Sequence, residues 1–411
     1  MKILVFNAGS SSQKSRLYEI IGNPPYTSPT PLWAADADWT QKKGVAKLKI
    51  TANGHKITEE LPIQARPDTI EQMLQTLWSG QTQVMAQLTD IDIVGHRVVH
   101  GGPHYSQSVL ITPEVKAEMR RSASFAPLHN PENLSVIETT ERILDNIPQV
   151  AVFDTAYHSH LLPEVMIYPG PYSWFEQSIR RYGFHGISHQ YCARRSAQIV
   201  GRDLKSLRIV NCHLGNGCSL AAIRAGQSID TTMGFTPLEG LMMGTRSGSI
   251  DPSILLYLQR EHGYSAAQLD QILNKESGLK GISGVSGDMR EILHAIKEGN
   301  QHAKLALSMY VYRLRYFIGA MIASLAGIDV LTFTGGVGEN SPEVRAKTCE
   351  AFSFLGLQLD PAKNAASPAD QDIATPESAV RVLVIHTEED WEIARECWRI
   401  KATTQHLIET H

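Results

Sequence analysis

Lys2-Ile3-Leu4-Val5-Phe6 runs directly into Asn7-Ala8-Gly9-Ser10-Ser11-Ser12-Gln13-Lys14. The apolar run reads as a strand, and the small polar residues after it read as a phosphate loop. Three hydroxyls, Gly9 and the backbone N–H groups of a tight turn can wrap an anion, and Lys14 adds a full positive charge. Ser15 to Ile20 then reads as the returning strand of a hairpin. Taken alone, the stretch serves equally well as an ordinary serine-rich turn. A second occurrence weighs against that. Arg208-Ile209-Val210-Asn211-Cys212 enters His213-Leu214-Gly215-Asn216-Gly217-Cys218-Ser219 and returns through Leu220 to Ile223. Two such hairpins are what a duplicated nucleotide-binding fold leaves in a sequence. Neither matches the Gly-x4-Gly-Lys-Ser/Thr phosphate loop, and no His-Arg-Asp catalytic loop is present.

Composition bounds the reading. At 411 residues the chain has room for two or three domains and a sizeable core. Lys and Arg number 38 against 42 Asp and Glu, a formal net charge of -4, so no nucleic-acid partner is expected and any anion must be met by local placement. The cysteines, Cys192, Cys212, Cys218, Cys349 and Cys397, have no CxxC spacing, which argues against a disulfide framework or zinc site and for a cytoplasmic location. No leader precedes the first strand, and no uncharged apolar run reaches the ~18 residues a membrane helix needs, so no membrane association is expected.

Outward from the hairpins, residues 22–44 are rich in Pro, Ala, Asp and Thr and read as a surface excursion before a strand over Val45 to Thr51. Ile70, Met73, Leu74 and Leu77 recur at helical spacing. Ile91 to Val94 reads as a buried strand emptying into a glycine-rich loop, Gly95 to Gly102, that carries Arg97. Thr112-Pro113 opens a helix, and Ala126 to Pro131, with His129, interrupts before another. Gln149 to Phe153 reads as a strand with Asp154 at its carboxyl end, where ligands gather in open α/β sheets. Arg181 to His189 holds two histidines and two glycines in a short turn, a weak pattern for a metal site.

Ser228 to Met233 continues the second sheet, Gly240 to Ser249 loops around Arg246, and Asp251-Pro252 caps a helix. Asp288 and Glu291 have capping-box spacing ahead of an amphipathic helix ending at Gly299. Leu307, Val311, Leu314, Ile318, Met321 and Leu325 mark a long core helix. Val330 to Thr334 is a strand ending in the glycine loop Gly335 to Asn340, with Ser341-Pro342 opening a helix, a ready seat for a nucleotide. Val382 to Ile385 is a last strand, and Glu388-Glu389-Asp390 leads into a last helix whose acids also suit its dipole.

These stretches together resemble the acetate kinase family, the acetate and related short-chain carboxylate kinases, along almost the whole chain. Asn7 to Lys14, Gly95 to Gly102, Ala126 to Pro131, Phe153 to His158, Tyr182 to His189, His213 to Ser219, Met243 to Gly248 and Phe333 to Ser341 occur in the family's order and spacing. The resemblance implies an α/β fold of duplicated ribonuclease H-like halves, of the actin, Hsc70 and sugar-kinase type, with an interdomain cleft. It implies one lobe of residues 1–154 plus 388–411, a second of 155–387, and a homodimer.

The resemblance also implies reversible transfer of the γ-phosphoryl group of ATP to acetate, giving acetyl phosphate and ADP and linking to acetyl-CoA metabolism. Carried over by position, it puts Asn7 and Glu389 near Mg²⁺, with Mn²⁺ as a substitute. Lys14 and His213, Leu214, Gly215, Asn216 and Gly217 fall near the phosphates. Asp288, Met289, Arg290, Gly336, Val337, Gly338, Glu339 and Asn340 surround the adenosine. Arg97 falls to the carboxylate, with Val99, Leu128, Phe184 and Pro237 around its alkyl end. Asp154, His185 and Arg246 take the catalytic positions, with His129 a neighbour. The chain departs from the family pattern at Ser249, Gly287, His386 and Glu388.

Chemistry narrows the roles. A carboxylate is already ionised at neutral pH, so no general base is needed, and Asp154 is expected to orient Arg97 or the metal shell. A propionate or butyrate kinase of the same family is the near alternative, and an actin-like or chaperone-like nucleotide switch is the distant one. The switch needs only water as nucleophile, whereas Arg97 and Arg246 in separate stretches suit an anionic second substrate. A sugar kinase would need a base to deprotonate a hydroxyl.

Overall fold

Ile3, Leu4 and Val5 are fully buried, as a strand covered on both faces requires. They belong to β1 (Lys2–Ala8), the centre of a sheet completed by β2 (Ser12–Glu19), β3 (Trp33–Lys42), β4 (Val45–Ala52), β5 (His55–Pro62), β6 (Ile93–Val98), β7 (Val109–Leu110) and β8 (Gln149–Phe153). Its order is β5-β4-β3-β2-β1-β6-β8-β7. A second sheet contains β9 (Arg208–Leu214), β10 (Cys218–Arg224), β11 (Gln227–Thr231), β12 (Val330–Thr334), β13 (Gln371–Asp372) and β14 (Arg381–Val384), in the order β11-β10-β9-β12-β14-β13. The computed structural model describes every residue except 10–11, 43, 63–65, 123–129, 367–368 and 410–411. The chain divides into two compact units, Met1–Ala156 with Glu388–His411, and Tyr157–Thr387.

The expected duplication is visible in strand order. In the first unit β3-β2-β1 is an antiparallel meander, and β6 and β8 then continue parallel to β1. In the second, β11-β10-β9 repeats the meander and β12 and β14 the parallel extension. Both are the ribonuclease H-like order.

In the first unit, Leu4, Phe6, Leu17, Trp33, Leu48 and Ile50 pack with Ile70, Met73 and Leu74 of the helix Arg66–Gln75. Each such side chain stabilises the unit by roughly 1.5 to 3 kcal/mol over exposure. The last helix, Glu389–Glu409, packs against β1 and β6. It lies so close at Gly95 that an added Cβ would come within 2.5 Å of Cys397 Sγ and 2.7 Å of Ile393. This fixes where the acidic first turn of the helix falls.

Several elements differ from expectation. Residues 33–42 form β3 rather than part of a surface excursion. Trp33, Ala35 and Ala37 alternate inward, and alanines among aspartates hid the pattern. Arg97 lies on β6, not in a glycine-rich loop, because that strand runs through Gly95 and His96 to Val98. His96 is paved into the core by stacking on Phe6 and bonding Gln149 Oε1 at 2.5 Å, and burial pushes its pKa down to about 4. Lys14 likewise sits in β2, opposite Asn7, while Gly9 N–H donates to the Ser12 carbonyl at 2.8 Å. Gly335 to Asn340 is a short helix rather than a loop. Its entry demands glycine, since Gly335 has φ +77° and a Cβ there would meet Leu214 O at 2.9 Å. Asp288 caps the helix Met289–Lys297, but the expected box with Glu291 is replaced by Arg290, whose backbone and guanidinium both bond the carboxylate.

Candidate active site

Two groups of functional side chains gather in the first unit, at the carboxyl ends of β1, β6 and β8. Asn7, one residue from the end of β1, donates from Nδ2 to Asp390 Oδ1 at 2.7 Å and to Glu389 Oε2 at 3.3 Å. Arg16 reaches Asp390 at 3.6 Å and Asp36 at 2.8 Å. Burial raises the Asp390 pKa, against the pull of Arg16, Asn7 and Lys14. Beside it, Arg97 on β6 and Asp154 just past β8 form an ion pair of 2.6 Å from Nη2 and 3.2 Å from Nε, both to one carboxylate oxygen. Burial opposes the Arg97 charge, but Asp154, Glu389 and Asp390 outweigh it and the net shift is upward. An arginine held this firmly charged and oriented is suited to a second anion.

The second unit presents the other hairpin. Gly215 N–H donates to Gly217 O at 3.0 Å to close the turn, and Gly244 N–H donates to Asn216 O at 3.1 Å, tying it to the Arg246 loop. A Cβ on Gly217 would lie 3.1 Å from Arg246 Nη1 and 3.6 Å from His185 Cε1. Both side chains therefore converge on the hairpin tip. Arg246 donates to the Pro237 carbonyl at 3.3 Å, and no carboxylate among the described residues pairs with it. Burial lowers its pKa, which is the energetic sign of a cation lacking a compensating anion. His185 precedes the helix Gly186–Val200 in the left-handed region at φ 57°. That conformation costs of order 1–3 kcal/mol and clusters at functional sites. Its ring stacks on His213 with centroids 4.3 Å apart, and Nδ1 lies 2.9 Å from Ser219 Oγ.

A cleft of about 760 Å³ opens alongside, lined by Gly215, Asn216, Gly287 to Arg290, Leu293, Gly336, Val337, Asn340 and Ser341. Glycines from three segments meet there, and a Cβ on Gly287 would approach Gly244 O at 2.9 Å. A cleft of this size with a mostly uncharged lining has room for a nucleoside.

A sequence model of the acetokinase family matches residues 2–395. The chain belongs to the acetokinase family. It is 60% identical over 404 residues to a protein named acetate kinase from Cyanothece sp., covering 98% of this chain and 99% of that one. Among solved structures it is similar to Porphyromonas gingivalis acetate kinase, with TM-score 0.88, 42% identity and coverage of 97% and 99%. It is similar also to a propionate kinase from Francisella tularensis, with TM-score 0.87, 37% identity and the same coverage.

In this acetokinase, the expected residues fall into sets. Asn7 and Glu389 meet in the first unit, as do Arg97 and Asp154. Val99 is buried there, in the bend just after β6. In the second unit His185, Arg246 and Gly217 converge, and six expected adenosine-side residues line the cleft. Gly338 and Glu339 do not line it. Glu339 turns back to accept from Gly335 N–H at 2.9 Å and pairs with His386 at 2.7 Å. Leu214 is fully buried beneath the hairpin. Phe184 is buried and its carbonyl accepts from His158 at 3.1 Å. Leu128 and His129 lie outside the described residues. Sequence reading missed Asp390, which passed for a helix-dipole acid, and Leu293, which it did not single out on its amphipathic helix. It also assigned no role to Ser219 and His189, whose only signal was their place at the ends of the motifs His213 to Ser219 and Tyr182 to His189.

Proposed function

We propose that this acetokinase is an ATP:acetate phosphotransferase, reversibly moving the γ-phosphoryl group of ATP to acetate to give acetyl phosphate and ADP. The observation that carries it is the convergence of Arg246, a cation with no carboxylate partner among the described residues, and His185 on the glycine hairpin beside a nucleoside-sized cleft. In this reading an acetate oxygen attacks the γ-phosphorus as the bond to the β-phosphate oxygen breaks, and no proton need be removed. Arg246 and His185 stabilise the equatorial oxygens, the second hairpin holds the phosphates with Lys14, and the cleft takes the adenosine. Arg97 binds the carboxylate, and Asp154 holds Arg97 in orientation. Acetate is favoured over propionate because the 60% relative carries the acetate name.

The oxygen-rich set of Asn7, Glu389 and Asp390 fits a hard divalent cation, which is held by few carboxylates and by substrate phosphates. Asn7 and Glu389 would hold Mg²⁺, or Mn²⁺ in its place, and the ion supplies charge neutralisation at the phosphates. The two compact units serve as the two lobes of the enzyme. Ile254, Leu256 and Tyr257 on the helix Ser253–His262, and Tyr312 and Tyr316 on the helix Gln301–Leu325, are exposed apolar side chains suited to a homodimer contact, testable by light scattering. The five buried free cysteines suit a reducing cytoplasm, and no helix among the described residues is long and apolar enough to cross a membrane. Acetyl phosphate is an activated acyl donor, so an acyl transfer toward acetyl-CoA is the fitting companion reaction.

The decisive experiment measures ADP and acyl hydroxamate formation with acetate, propionate, butyrate, glycerol or no acceptor. Turnover that requires a carboxylate and is greatest with acetate supports the proposal. Equal ATP turnover without acceptor would instead indicate a nucleotide switch.

A further inference from the structure

Beneath the first turn of the helix Gly186–Val200 runs an unbroken chain of hydrogen bonds. Asn211 Nδ2 lies 2.7 Å from His189 Nδ1, His189 Nε2 lies 2.8 Å from Ser219 Oγ, and Ser219 Oγ lies 2.9 Å from His185 Nδ1. Asn211, His189 and Ser219 are fully buried. His185 and His189, four residues apart across the helix start, reach down to the same hydroxyl.

The chain has a direction. An amide nitrogen only donates, so His189 Nδ1 accepts and the proton of this ring sits on Nε2. Nε2–H then donates to Ser219 Oγ, leaving the single hydroxyl proton for His185 Nδ1. A proton on His185 Nδ1 would aim a second donor at that hydroxyl and strand the hydroxyl's own proton. We propose that Asn211, His189 and Ser219 are positioning residues that fix His185 as the tautomer protonated at Nε2, turning that edge into a hydrogen-bond donor beside Arg246 and the hairpin tip. The tautomer of an imidazole is set by the bond its other nitrogen makes, and here that bond is set two residues further back.

Two observations agree. His189 is kept neutral, its pKa pushed well below the ordinary value by burial and then by His158 and His213. Asn211 Oδ1 is buried without a partner among the described residues, so the amide gives up one hydrogen bond to hold its nitrogen on the ring. The inference rests on the reading that His185 serves phosphoryl transfer.

The test is nitrogen NMR of ¹⁵N-histidine-labelled protein, with His185 assigned by subtraction of His185→Gln. In the unmodified protein the protonated nitrogen of His185 should be Nε2. Asn211→Asp replaces the donor with an acceptor, reverses each bond and should move the proton to Nδ1. Ser219→Ala should leave both tautomers populated, and Ser219→Thr should restore one. In acetate phosphorylation, Asn211→Asp and Ser219→Ala should lower kcat by about 10- to 100-fold with little change in the KM for ATP. A proton on Nδ1 in the unmodified protein overturns the proposal, even if no variant folds. So does an unchanged tautomer in a folded Asn211→Asp protein. If instead the tautomers behave as stated while His185→Gln keeps full activity, the functional reading of His185 fails and the relay stands.

Discussion

Arg97 and Asp154 meet at two points on one carboxylate oxygen, 2.6 Å from Nη2 and 3.2 Å from Nε, with the Asp154 side chain almost wholly buried. Removing one partner strands the other's charge, which typically destabilises by about 3 to 5 kcal/mol. Asp154→Ala is therefore expected to lower the urea midpoint clearly. Asp154→Asn, which keeps the shape, should unfold nearer the parent yet raise the KM for acetate more than that for ATP. Equal effects on both substrates would show that Asp154 does not act through Arg97.

Arg246→Lys should lower kcat by roughly a hundredfold or more, since loss of a transition-state donor costs ~3 to 4 kcal/mol and a point charge cannot replace a planar fork. Nucleotide affinity, read by fluorescence titration, should change much less. Added guanidinium should restore part of the activity of Arg246→Ala. A kcat within a few-fold of the parent would remove Arg246 from the chemistry.

Gly95→Ala forces a Cβ against Cys397 and Ile393 of the last helix. Overpacking of this kind costs about 1 to 3 kcal/mol. Because the same helix begins at Glu389, activity should also need more Mg²⁺ for half-saturation. Adding Cys397→Ala should recover part of both losses. Unchanged thermal stability in the single variant would contradict the close approach.

Acidification should expose the Glu339–His386 pair. Burial opposes ionisation of Glu339, but His386 and the N–H groups of Gly335 and Thr387 prevail and the net pKa is lowered. A carboxyl depressed in the folded state adds stability above its unfolded value of about 4.3, and loses it as pH falls through the folded value. The parent should thus exceed His386→Ala in stability near pH 5 by no more than about 1 kcal/mol, the pair being half in water. The difference should fade as pH falls below that unfolded value and through the lowered folded one. A difference that grows on acidification would reverse the sign.

Acetate should exceed propionate by roughly ten-fold in kcat/KM, because overpacking a filled pocket outweighs the ~0.8 kcal/mol of an extra methylene. Val99→Ala should narrow that ratio in parallel assays of both acids. Should the ratio stay fixed, Val99 is core alone.

The hairpins were legible because burial on both faces forces continuous apolar runs, and tight turns force glycine. Asp154 was legible from its place after a strand. Arg97 was legible as a residue but not as part of a strand, because Gly95 looks like a loop until the helix that presses on it is known. That helix lies some three hundred residues away in sequence, and no local pattern announces it. β3 was lost for the opposite reason, its inward residues being mostly alanines too small to register as apolar. The relay under His185 was invisible because direction in a hydrogen-bond chain depends on which atom of Asn211 faces the ring.

The first unit is interrupted: Met1–Ala156 is completed only by Glu388–His411, whereas Tyr157–Thr387 is continuous. On the ribosome, where synthesis runs at about 5–20 residues per second, the β1–β6 surface must therefore wait for the last helix until every residue of the second unit has been made. That wait lasts roughly 12 to 46 seconds at those speeds. The glycine at position 95 and its apolar neighbours stay uncovered throughout, so the first-made half of the protein is the last to be finished and the one with most need of a chaperone.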